Sequence, residues 1–452
     1  MSLSSEQTNA FEKFKQGENL FMTGPSGTGK SYLIKQMHEY ATIRGSNIQV
    51  CAMTGCAAML LECKASTLHS WSGLRLGNDD ASTIIGRVAS SKIYKPRWRK
   101  VNCLIIDEVS MLSHWLLNIL DKIGRQIRNP DYPFGGIQVV FIGDFFQLPP
   151  VDSERIKEKG EFCFQSPLWG EIFPQENQIE LTQIFRQRDP AFQNILNEAR
   201  RGEISPESET VLKTRLSVHH DSKTLNGFVP TKLFPTRIKT DNENTVMFKK
   251  LQAEEVVFDS KDRYDMNVYH YSDEAIPSDI MKKCSKIPQT RKEYEIDKLK
   301  KNTPCIPKLR LKIGASVMCT INIDVSTGIC NGSQGIVTSF VKEGEQFLPR
   351  VKFVNGTESV MKMHYWQSEE MPTVAIGQVP LCLAYALTIH KIQGATLDVA
   401  EIDIGESLFE YGQGYVALSR VRTLDGLFLS SFSPKRITAH PKVLQFHKNI
   451  QT

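Results

Sequence analysis

A glycine-rich segment near the N-terminus, FMTGPSGTGKS at residues 21–31, carries residue types that bind phosphate. Its glycines let successive backbone N–H groups turn toward an anion, and the Lys30 ammonium can reach the outer phosphates of a nucleotide. The Ser31 hydroxyl is suited to Mg²⁺. An apolar run precedes the segment and a helical pattern follows it, as such a loop requires. The segment therefore predicts a site for ATP and Mg²⁺ formed by Gly24, Pro25, Ser26, Gly27, Thr28, Gly29, Lys30 and Ser31.

Two later segments each contain an apolar run that is followed by side chains that such a site needs. In LIIDEVSML, residues 104–112, Asp107 and Glu108 follow the apolar run. We predict that Asp107 holds Mg²⁺ and that Glu108 accepts a proton from the attacking water. In VVFIGDFFQLPPV, residues 139–151, a third run ends before Asp144 and Gln147. Gln147 is predicted to contact the γ-phosphate, and the alternative is a loop glutamine in solvent.

Positive charge on the far side of the γ-phosphate is the remaining requirement of such a site. An arginine placed there contributes roughly 10³–10⁵ in rate. Arg186 in ELTQIFRQ and Arg420 in GYVALSRV are the candidates, although each could be an ordinary surface residue. If both belong to a second domain, closure of that domain onto ATP completes the site, and hydrolysis releases it.

The elements that position these residues follow an alternating pattern. Helical periodicity separates apolar runs that predict strands at 20–22, 48–52, 103–106 and 139–142. This alternation is typical of a parallel sheet covered by helices, with ligands at the C-terminal ends of the strands. Similar runs predict a second set of strands at 233–234, 381–386, 401–404 and 427–429.

The length of 452 residues exceeds that of a single core, so two or three domains are expected. We predict an α/β fold with two nucleotide-binding-type domains, at 1–175 and 176–452. Between 315 and 379, short strands separated by Gly and Asn turns predict an inserted β-barrel. The charged stretch 241–310 is weakly patterned and is predicted to be irregular.

Composition and charge give only broad indications. The net charge is +5, which does not by itself indicate a nucleic-acid partner. Residues 87–100 contain six Lys or Arg and no acid, and they include Tyr94 and Trp98, which could stack on bases. The basic run 282–312 is more typical of a solvated face. Without a membrane-length apolar run, a signal pattern or a CxxC pair, the sequence indicates an intracellular protein that does not contact a membrane.

Several segments together resemble superfamily 1 DNA helicases, and more narrowly the Pif type and its RecD-like relatives. In chain order they are GPSGTGKS, LIIDEVSML, FIGDFFQLPPV, FRQ, TIHKIQGATLD and GYVALSRV. The segment DPAFQNILNEARRG has the spacing of the Pif-type signature helix. LKIGASVMCTINID and ICNGSQGIV resemble the stretch that leads into the family's inserted SH3-like subdomain. Pro25-Ser26 and Ile392 depart from the family pattern, and the stretch 241–310 resembles it least.

The resemblance implies two RecA-like domains that share one ATP, with single-stranded DNA across both and movement from 5′ to 3′. It implies that Gln7 reads adenine and that a wedge insertion lies at about 72–100. In the second domain, Gly394 belongs to a motif that touches nucleotide as well as DNA. DNA contacts are implied for Thr54, Thr67, His69, Tyr94, Trp98, Thr388, His390 and Lys391.

The sequence thus predicts an ATP-dependent DNA helicase that binds single-stranded and forked DNA as a single copy. Two other interpretations stay open. A P-loop ATPase that remodels protein would lack stimulation by DNA. A translocase subunit of a recombination or nuclease complex would move on DNA with little unwinding of its own.

Overall fold

The computed structural model describes residues 3–61, 63, 65–74, 80–151, 160–216, 229–269, 275–323, 329, 331–344, 346–368 and 371–450. The chain divides into two compact units. Unit 1 comprises Met1–Leu216 and Ile402–Thr452, and unit 2 comprises Ser217–Glu401. This division differs from the predicted boundary between 175 and 176, which stays a prediction.

A six-stranded parallel sheet lies at the centre of unit 1, in the order β3-β2-β4-β5-β1-β6. Its strands are β1 (Leu20–Thr23), β2 (Ile48–Ala52), β3 (Ser66–Thr67), β4 (Cys103–Asp107), β5 (Gln138–Ile142) and β6 (Gln178–Glu180). Side chains alternate between the two faces of a strand. Leu20 and Met22 therefore join the core cluster under the first helices, whereas Phe21 packs against Trp169, with ring centroids 4.9 Å apart. The sheet confirms the predicted parallel α/β arrangement.

Helices connect these strands, and local side-chain caps start several of them. Ser4 and Gln7 form a reciprocal capping box at the first helix, and Ser113 caps the helix that follows β4. The helices are α1 (Ser5–Lys15), α2 (Lys30–Ile43), α3 (Gly55–Leu60), α4 (Leu68–Ser72), α5 (Ala81–Ser90), α6 (Tyr94–Lys100), α7 (His114–Ile127), α8 (Leu168–Ile172), α9 (Pro190–Arg201) and α10 (Pro206–Lys213).

Unit 2 contains several β-sheets. A five-stranded antiparallel sheet runs in the order β14-β13-β12-β11-β17, and β7 pairs in parallel with β18. The strands are β7 (Thr231–Phe234), β8 (Val256–Asp259), β9 (Lys261–Arg263), β10 (Lys308–Leu311), β11 (Ser316–Cys319), β12 (Gln334–Glu343), β13 (Gln346–Phe353), β14 (Glu358–Val360), β15 (His364–Gln367), β16 (Ala375–Gln378), β17 (Leu381–Leu383) and β18 (Ala386–Thr388). Strands β11 to β16 lie within 315–379, and closure into an SH3-like barrel stays a prediction.

Two sequence predictions for unit 2 are wrong. The stretch 241–310 is not irregular, because it contains most of α11 (Arg237–Lys250), then α12 (Ser278–Ser285) and α13 (Gln289–Asn302), with short strands. Buried apolar residues such as Cys284 and Ile296 anchor these helices. The apolar run 381–386 is not one strand. Its first part, β17, pairs with β11, and β18 pairs with β7 after the break.

The chain then returns to unit 1 through β19 (Ala400–Ile404), α14 (Gln413–Leu418), β20 (Leu427–Phe432) and α15 (Pro441–Ile450). Phe446 of α15 stacks on Phe164 with ring centroids 4.2 Å apart and lies at the edge of Phe145. This aromatic packing fixes the last helix beside the end of β5. In the ranges that the structure describes, no helix is both long and apolar enough to span a bilayer.

Candidate nucleotide site

The predicted phosphate loop lies between the end of β1 and the start of α2, as its sequence requires. Gly27 has a φ of +89°, in the region that favours glycine. A Cβ at Gly27 would come within 2.6 Å of the Arg186 Cβ, so the missing side chain permits close approach of the segment that carries Arg186. The Phe185 N–H donates to the Gly27 carbonyl at 2.8 Å and holds that segment on the loop.

Lys30 begins α2 and folds back over the loop. Its Nζ donates to the carbonyl oxygens of Gly24 at 2.6 Å and Pro25 at 2.9 Å. Burial lowers the pKa of Lys30 to about 8, although the carboxylates of Asp144 and Glu108 act in the opposite direction. The ammonium is therefore placed against the loop in surroundings where an anionic phosphate would restore favourable charge pairing.

Asp107 and Glu108 lie together at the C-terminal end of β4. Asp107 Oδ1 accepts the Glu108 N–H at 2.9 Å, and Glu108 has a φ of +57°. Burial, followed by the Glu108 charge, raises the pKa of Asp107 to about 7. A bound cation favours the ionised form of a buried carboxyl group that lies beside a second carboxylate. Asp107 therefore fits the predicted role of Mg²⁺ ligand.

Ser31, the other predicted Mg²⁺ ligand, is exposed at the start of α2. Among the described residues, no three His, Cys, Asp or Glu side chains form a group that could hold a metal. Mg²⁺ in nucleotide sites is commonly held by one or two protein oxygens together with phosphates and waters. Asp107 and Ser31 fit that type of site, and their roles stay predictions.

Arg186 and Arg420 converge on one acceptor in the phosphate loop. Arg186 Nη1 lies 2.9 Å from Ser26 Oγ, and Arg420 Nη2 lies 3.0 Å from the same oxygen. Arg420 Nη2 also donates to Ser419 Oγ at 2.7 Å. Both arginines belong to unit 1, the unit that contains the loop. The structure thus brings the two predicted arginines to the predicted phosphate site, and closure of a second domain onto ATP stays a prediction.

A buried polar network extends from this point, and sequence reasoning did not identify its members as a group. The Ser26 N–H donates to Tyr415 Oη at 2.8 Å, and Tyr415 Oη donates to Asp144 Oδ2 at 3.3 Å. Arg200 donates to both oxygens of Asp144, with Nε–Oδ2 and Nη2–Oδ1 distances of 3.0 Å. Arg200 Nη1 also donates to Glu180 at 3.1 Å. Quoted segments contain Tyr415 and Arg200, but no local spacing indicated that they meet.

Gln7 braces the loop from α1. Its Oε1 accepts the Ser4 N–H and its Nε2 donates to the Thr28 carbonyl, both at 3.0 Å. Phe185, which sequence reasoning missed, has an exposed ring (41%) that faces Gly29, the glycine nearest to the Gln7 amide. An exposed aromatic face beside a side-chain amide is suited to a nucleobase. The reading of adenine by Gln7 stays a prediction.

Gln147 lies in the turn after β5, where its N–H donates to the Asp144 carbonyl at 2.9 Å. Its side chain is buried, so the alternative of a solvent-exposed loop glutamine is wrong. The carbonyl of Gln147 packs against Gly412, at the start of α14. Gln147 therefore lies between the sheet and the helix that carries Tyr415, and its contact with a γ-phosphate stays a prediction.

The predicted DNA-contacting residues near the start of the chain lie at strand ends. Thr54 follows β2 and Thr67 ends β3, and these strands are parallel neighbours. The Thr54 hydroxyl caps α3 by accepting the Ala57 N–H at 3.2 Å, and Thr67 caps α4. Burial lowers the pKa of His69, which is in the first turn of α4. All three residues lie near one edge of the sheet.

The basic run 87–100 forms the end of α5 and all of α6, while residues 75–79 of the predicted wedge lie outside the described residues. Tyr94 is half-buried, with the Arg97 guanidinium 5.4 Å from its ring centroid. Trp98 is fully buried, packs on Trp71 and donates its indole N–H to the Ser72 carbonyl at 3.1 Å. The prediction that Trp98 stacks on a base is therefore wrong, because its ring belongs to the core.

The remaining predicted residues lie in unit 2. Thr388 ends β18 and is buried, and its Oγ1 accepts the Lys391 N–H at 3.3 Å. His390 and Lys391 lie in the following turn with much of their surface exposed, and partial desolvation of the imidazole lowers the pKa of His390. Gly394 ends that turn with a φ of +85°. The turn therefore presents a cation and an imidazole at the C-terminal end of a buried strand.

Comparisons with known proteins agree on one family. The sequence model of the PIF1-like helicase family matches residues 2–215. The sequence model of the DNA helicase Pif1 2B domain matches residues 296–340. The ATP-dependent DNA helicase PIF1 of Danio rerio is 35% identical over 451 residues, which cover 99% of this chain and 64% of that protein. This chain therefore spans less than two thirds of that relative.

Solved structures give the same result over full lengths. The Pif1 helicase of Candida albicans has a TM-score of 0.76 and 32% identity, and the match covers 100% of both chains. Pif1 helicase from Bacteroides in complex with ADP-AlF3 and single-stranded DNA has a TM-score of 0.64 and 27% identity, covering 100% of this chain and 98% of that chain.

A parallel sheet with a glycine-rich loop after β1, and with acidic residues at the ends of β4 and β5, defines the P-loop class of α/β proteins. The full-length match to the Candida structure and the two family models narrow that class. The chain belongs to the Pif1-like helicase family.

Proposed function

We propose that this chain is an ATP-dependent DNA helicase that translocates on single-stranded DNA from 5′ to 3′ and unwinds duplex DNA. The observation that carries this proposal is the convergence of Arg186 and Arg420 on the Ser26 hydroxyl. A loop that binds nucleotide without hydrolysing it does not require two arginines beside it. Cleavage of the γ-phosphate, in contrast, is accelerated by such cations.

Each side chain of the site has its own role in the proposed hydrolysis of ATP. When bound, Mg²⁺ would neutralise phosphate charge, with Asp107 and Ser31 as its protein ligands. Lys30 binds the outer phosphates, and the two arginines stabilise the charge that develops on the γ-phosphoryl group. Glu108 accepts the proton of the attacking water, and Gln147 contacts the γ-phosphate. The exposed turn with His390 and Lys391 contacts the DNA backbone, so that events at the nucleotide change the grip on the strand.

The names of two relatives support ATP and DNA as the ligands proposed for this chain. The Danio rerio relative is named an ATP-dependent DNA helicase, and the Bacteroides relative was solved with ADP-AlF3 and single-stranded DNA. By similarity, ATP and single-stranded DNA are the proposed ligands of this chain, with forked DNA as the substrate for unwinding. Action as a single copy and location inside a cell remain parts of the proposal.

Strand displacement tests the proposal directly. We expect the chain to unwind a duplex with a 5′ single-stranded overhang in the presence of ATP and Mg²⁺, and to leave a duplex with a 3′ overhang intact. The Glu108→Gln variant should bind ATP and DNA without unwinding. Unwinding from the 3′ overhang alone would overturn the polarity, and ATP hydrolysis that DNA does not stimulate would overturn the helicase assignment.

A second variant tests the coupling between the two ligands. His390→Ala should lower the DNA-stimulated rate of ATP hydrolysis more than the basal rate, because the imidazole lies in the turn proposed to hold DNA. Lys30→Ala should abolish both rates, since it removes the charge at the phosphate loop. Equal losses of basal and stimulated rates in His390→Ala would remove the coupling role.

A further inference from the structure

The Ser26 hydroxyl is the meeting point of two cations from distant parts of the chain. Arg186 follows β6 and Arg420 follows α14, yet Nη1 of the first and Nη2 of the second lie 2.9 and 3.0 Å from the same Oγ. Ser26 is buried, so water does not easily replace either contact. A single neutral oxygen thus holds two guanidinium groups beside the phosphate loop.

The two guanidinium groups carry like charge and are both buried. Burial and then the Arg420 charge lower the pKa of Arg186 to about 9, because a buried cation is disfavoured beside a second one. Arg186 Nη1 also donates to the Ser419 carbonyl at 3.3 Å, and Arg420 Nε donates to the Val416 carbonyl at 2.9 Å. Each of these carbonyls accepts from one arginine only, whereas the Ser26 hydroxyl accepts from both and links them.

The position of Ser26 is itself fixed from the backbone side. Its N–H donates to Tyr415 Oη at 2.8 Å, and Tyr415 is linked to Asp144. The hydroxyl therefore has a defined place relative to the loop.

Arg186 retains donors for a ligand while Ser26 holds it. Among the described residues, its hydrogen bonds all involve Nη1. A guanidinium has five N–H donors in a rigid fork, so Nη2 and Nε can turn to a phosphate oxygen without loss of the serine contact. The hydroxyl is thus able to orient the arginine toward the γ-phosphoryl position instead of competing with it.

We propose that Ser26 is a positioning residue that holds Arg186 and Arg420 ready for the charge that develops on the γ-phosphoryl group. This role rests on the proposed function as an ATP-hydrolysing motor. It acts on the transition state, because ADP has no group at the position that the arginines face. Loss of the hydroxyl should therefore spare ADP binding and weaken binding of a transition-state mimic.

The test compares fluorescent N-methylanthraniloyl-ADP with and without aluminium fluoride, using the full chain and Mg²⁺. In the native chain, aluminium fluoride should tighten binding. In Ser26→Ala, we expect the dissociation constant of the ADP analogue to stay within about twofold of the native value. The gain in affinity caused by aluminium fluoride should fall about 10-fold, or ~1.4 kcal/mol. Unchanged ADP affinity also shows that the site is still folded.

Two further variants complete the test. Ser26→Thr keeps the hydroxyl and should restore most of the gain. Thr28→Val removes a buried hydroxyl of the same loop, one that donates to the Pro25 carbonyl at 3.0 Å, and should change both affinities by the same factor. A full gain in Ser26→Ala, or no recovery in Ser26→Thr, would overturn the positioning role. Failure of the helicase proposal would appear separately, as absence of DNA-stimulated hydrolysis in the native chain.

Discussion

Arg200 and Asp144 form a two-point ion pair in the interior of unit 1. Both oxygens of the carboxylate accept from the guanidinium, and the residues are 4% and 0% exposed. The Arg200 guanidinium also lies 4.5 Å from the Phe146 ring centroid. Burial opposes charge on Arg200, but the Asp144 carboxylate raises its pKa above the ordinary value. Arg200 therefore remains ionised, and its two hydrogen bonds to Asp144 fix α9 to the turn after β5.

Loss of Arg200 should destabilise the protein strongly. Arg200→Ala leaves the Asp144 carboxylate buried without its cation, a change that typically costs about 3–5 kcal/mol of unfolding free energy. Arg201→Ala is the matched control, because the neighbouring side chain is exposed on the same helix and should change stability by less than about 0.5 kcal/mol. Urea unfolding followed by circular dichroism measures both. Equal effects of the two substitutions would show that the ion pair contributes little.

His447 of α15 lies beside this ion pair and should make stability sensitive to acid. Its Nε2 is 2.9 Å from Glu180 Oε1, but neither ring nitrogen has hydrogen-bonding geometry to a described partner. Burial and then the Arg200 charge lower the pKa of His447, although Glu180 acts in the opposite direction. The folded protein therefore binds fewer protons than the unfolded chain near pH 6, and stability contributed by His447 is lost as pH falls below about 6.5.

The His447→Phe variant tests this pH dependence. In the native protein the ring centroids of Phe146 and His447 are 5.1 Å apart. Phenylalanine at 447 keeps an aromatic ring against Phe146 and removes the titratable imidazole. We expect the melting temperature of the variant to fall less than that of the native chain between pH 7 and pH 5. Parallel losses in the two proteins over that range would assign the acid sensitivity to other groups.

The phosphate loop and the ends of β4 and β5 could be predicted because local sequence determines them. Glycines, an apolar run and a following helix specify the loop, whereas Asp107 is the last residue of β4 and Asp144 lies two residues beyond the end of β5. The network around them could not be predicted in the same way. Ser26 and Tyr415 are 389 positions apart, and no periodicity of either segment indicates their hydrogen bond. Residue type alone made Arg186 and Arg420 candidates that could equally lie at the surface, and the resemblance to a family strengthened their placement near the nucleotide.

Two of the wrong predictions, base stacking by Trp98 and an irregular stretch at 241–310, have physical reasons. Trp98 lies in a basic run, but helix α6 turns its ring inward onto Trp71, while Lys92, Arg99 and Lys100 of the run are exposed. In the stretch 241–310, few apolar residues are needed, because α12 and α13 bury only a small cluster that includes Cys284 and Ile296. Prolines at 277 and 288 precede both helices, a start signal that outweighed weak periodicity.

The burial of Trp98 predicts a division of roles within the basic run. Trp98→Ala removes a core side chain and an indole hydrogen bond, and it should lower the free energy of unfolding by about 3–5 kcal/mol. Tyr94→Ala removes a half-buried ring and should cost less stability. Chemical unfolding and binding of single-stranded DNA by fluorescence anisotropy separate the two effects. A stable Trp98→Ala protein with weakened DNA binding would contradict the assignment of Trp98 to the core.

Gly412 controls how closely α14 approaches the turn after β5. Its φ is +71°, and a Cβ there would collide with the Phe146 carbonyl oxygen and lie 2.7 Å from that of Gln147. Because α14 carries Tyr415, Gly412→Ala should displace the hydroxyl that holds the Ser26 N–H and should lower the rate of ATP hydrolysis by at least about 10-fold, or ~1.4 kcal/mol. Gly356→Ala is the control, since Gly356 has a φ of +86° and no atom within 4 Å of an added Cβ. Both variants carry the strain of a left-handed alanine, about 1–2 kcal/mol, so a similar loss of stability with unchanged hydrolysis in both would show that the approach of α14 is not required.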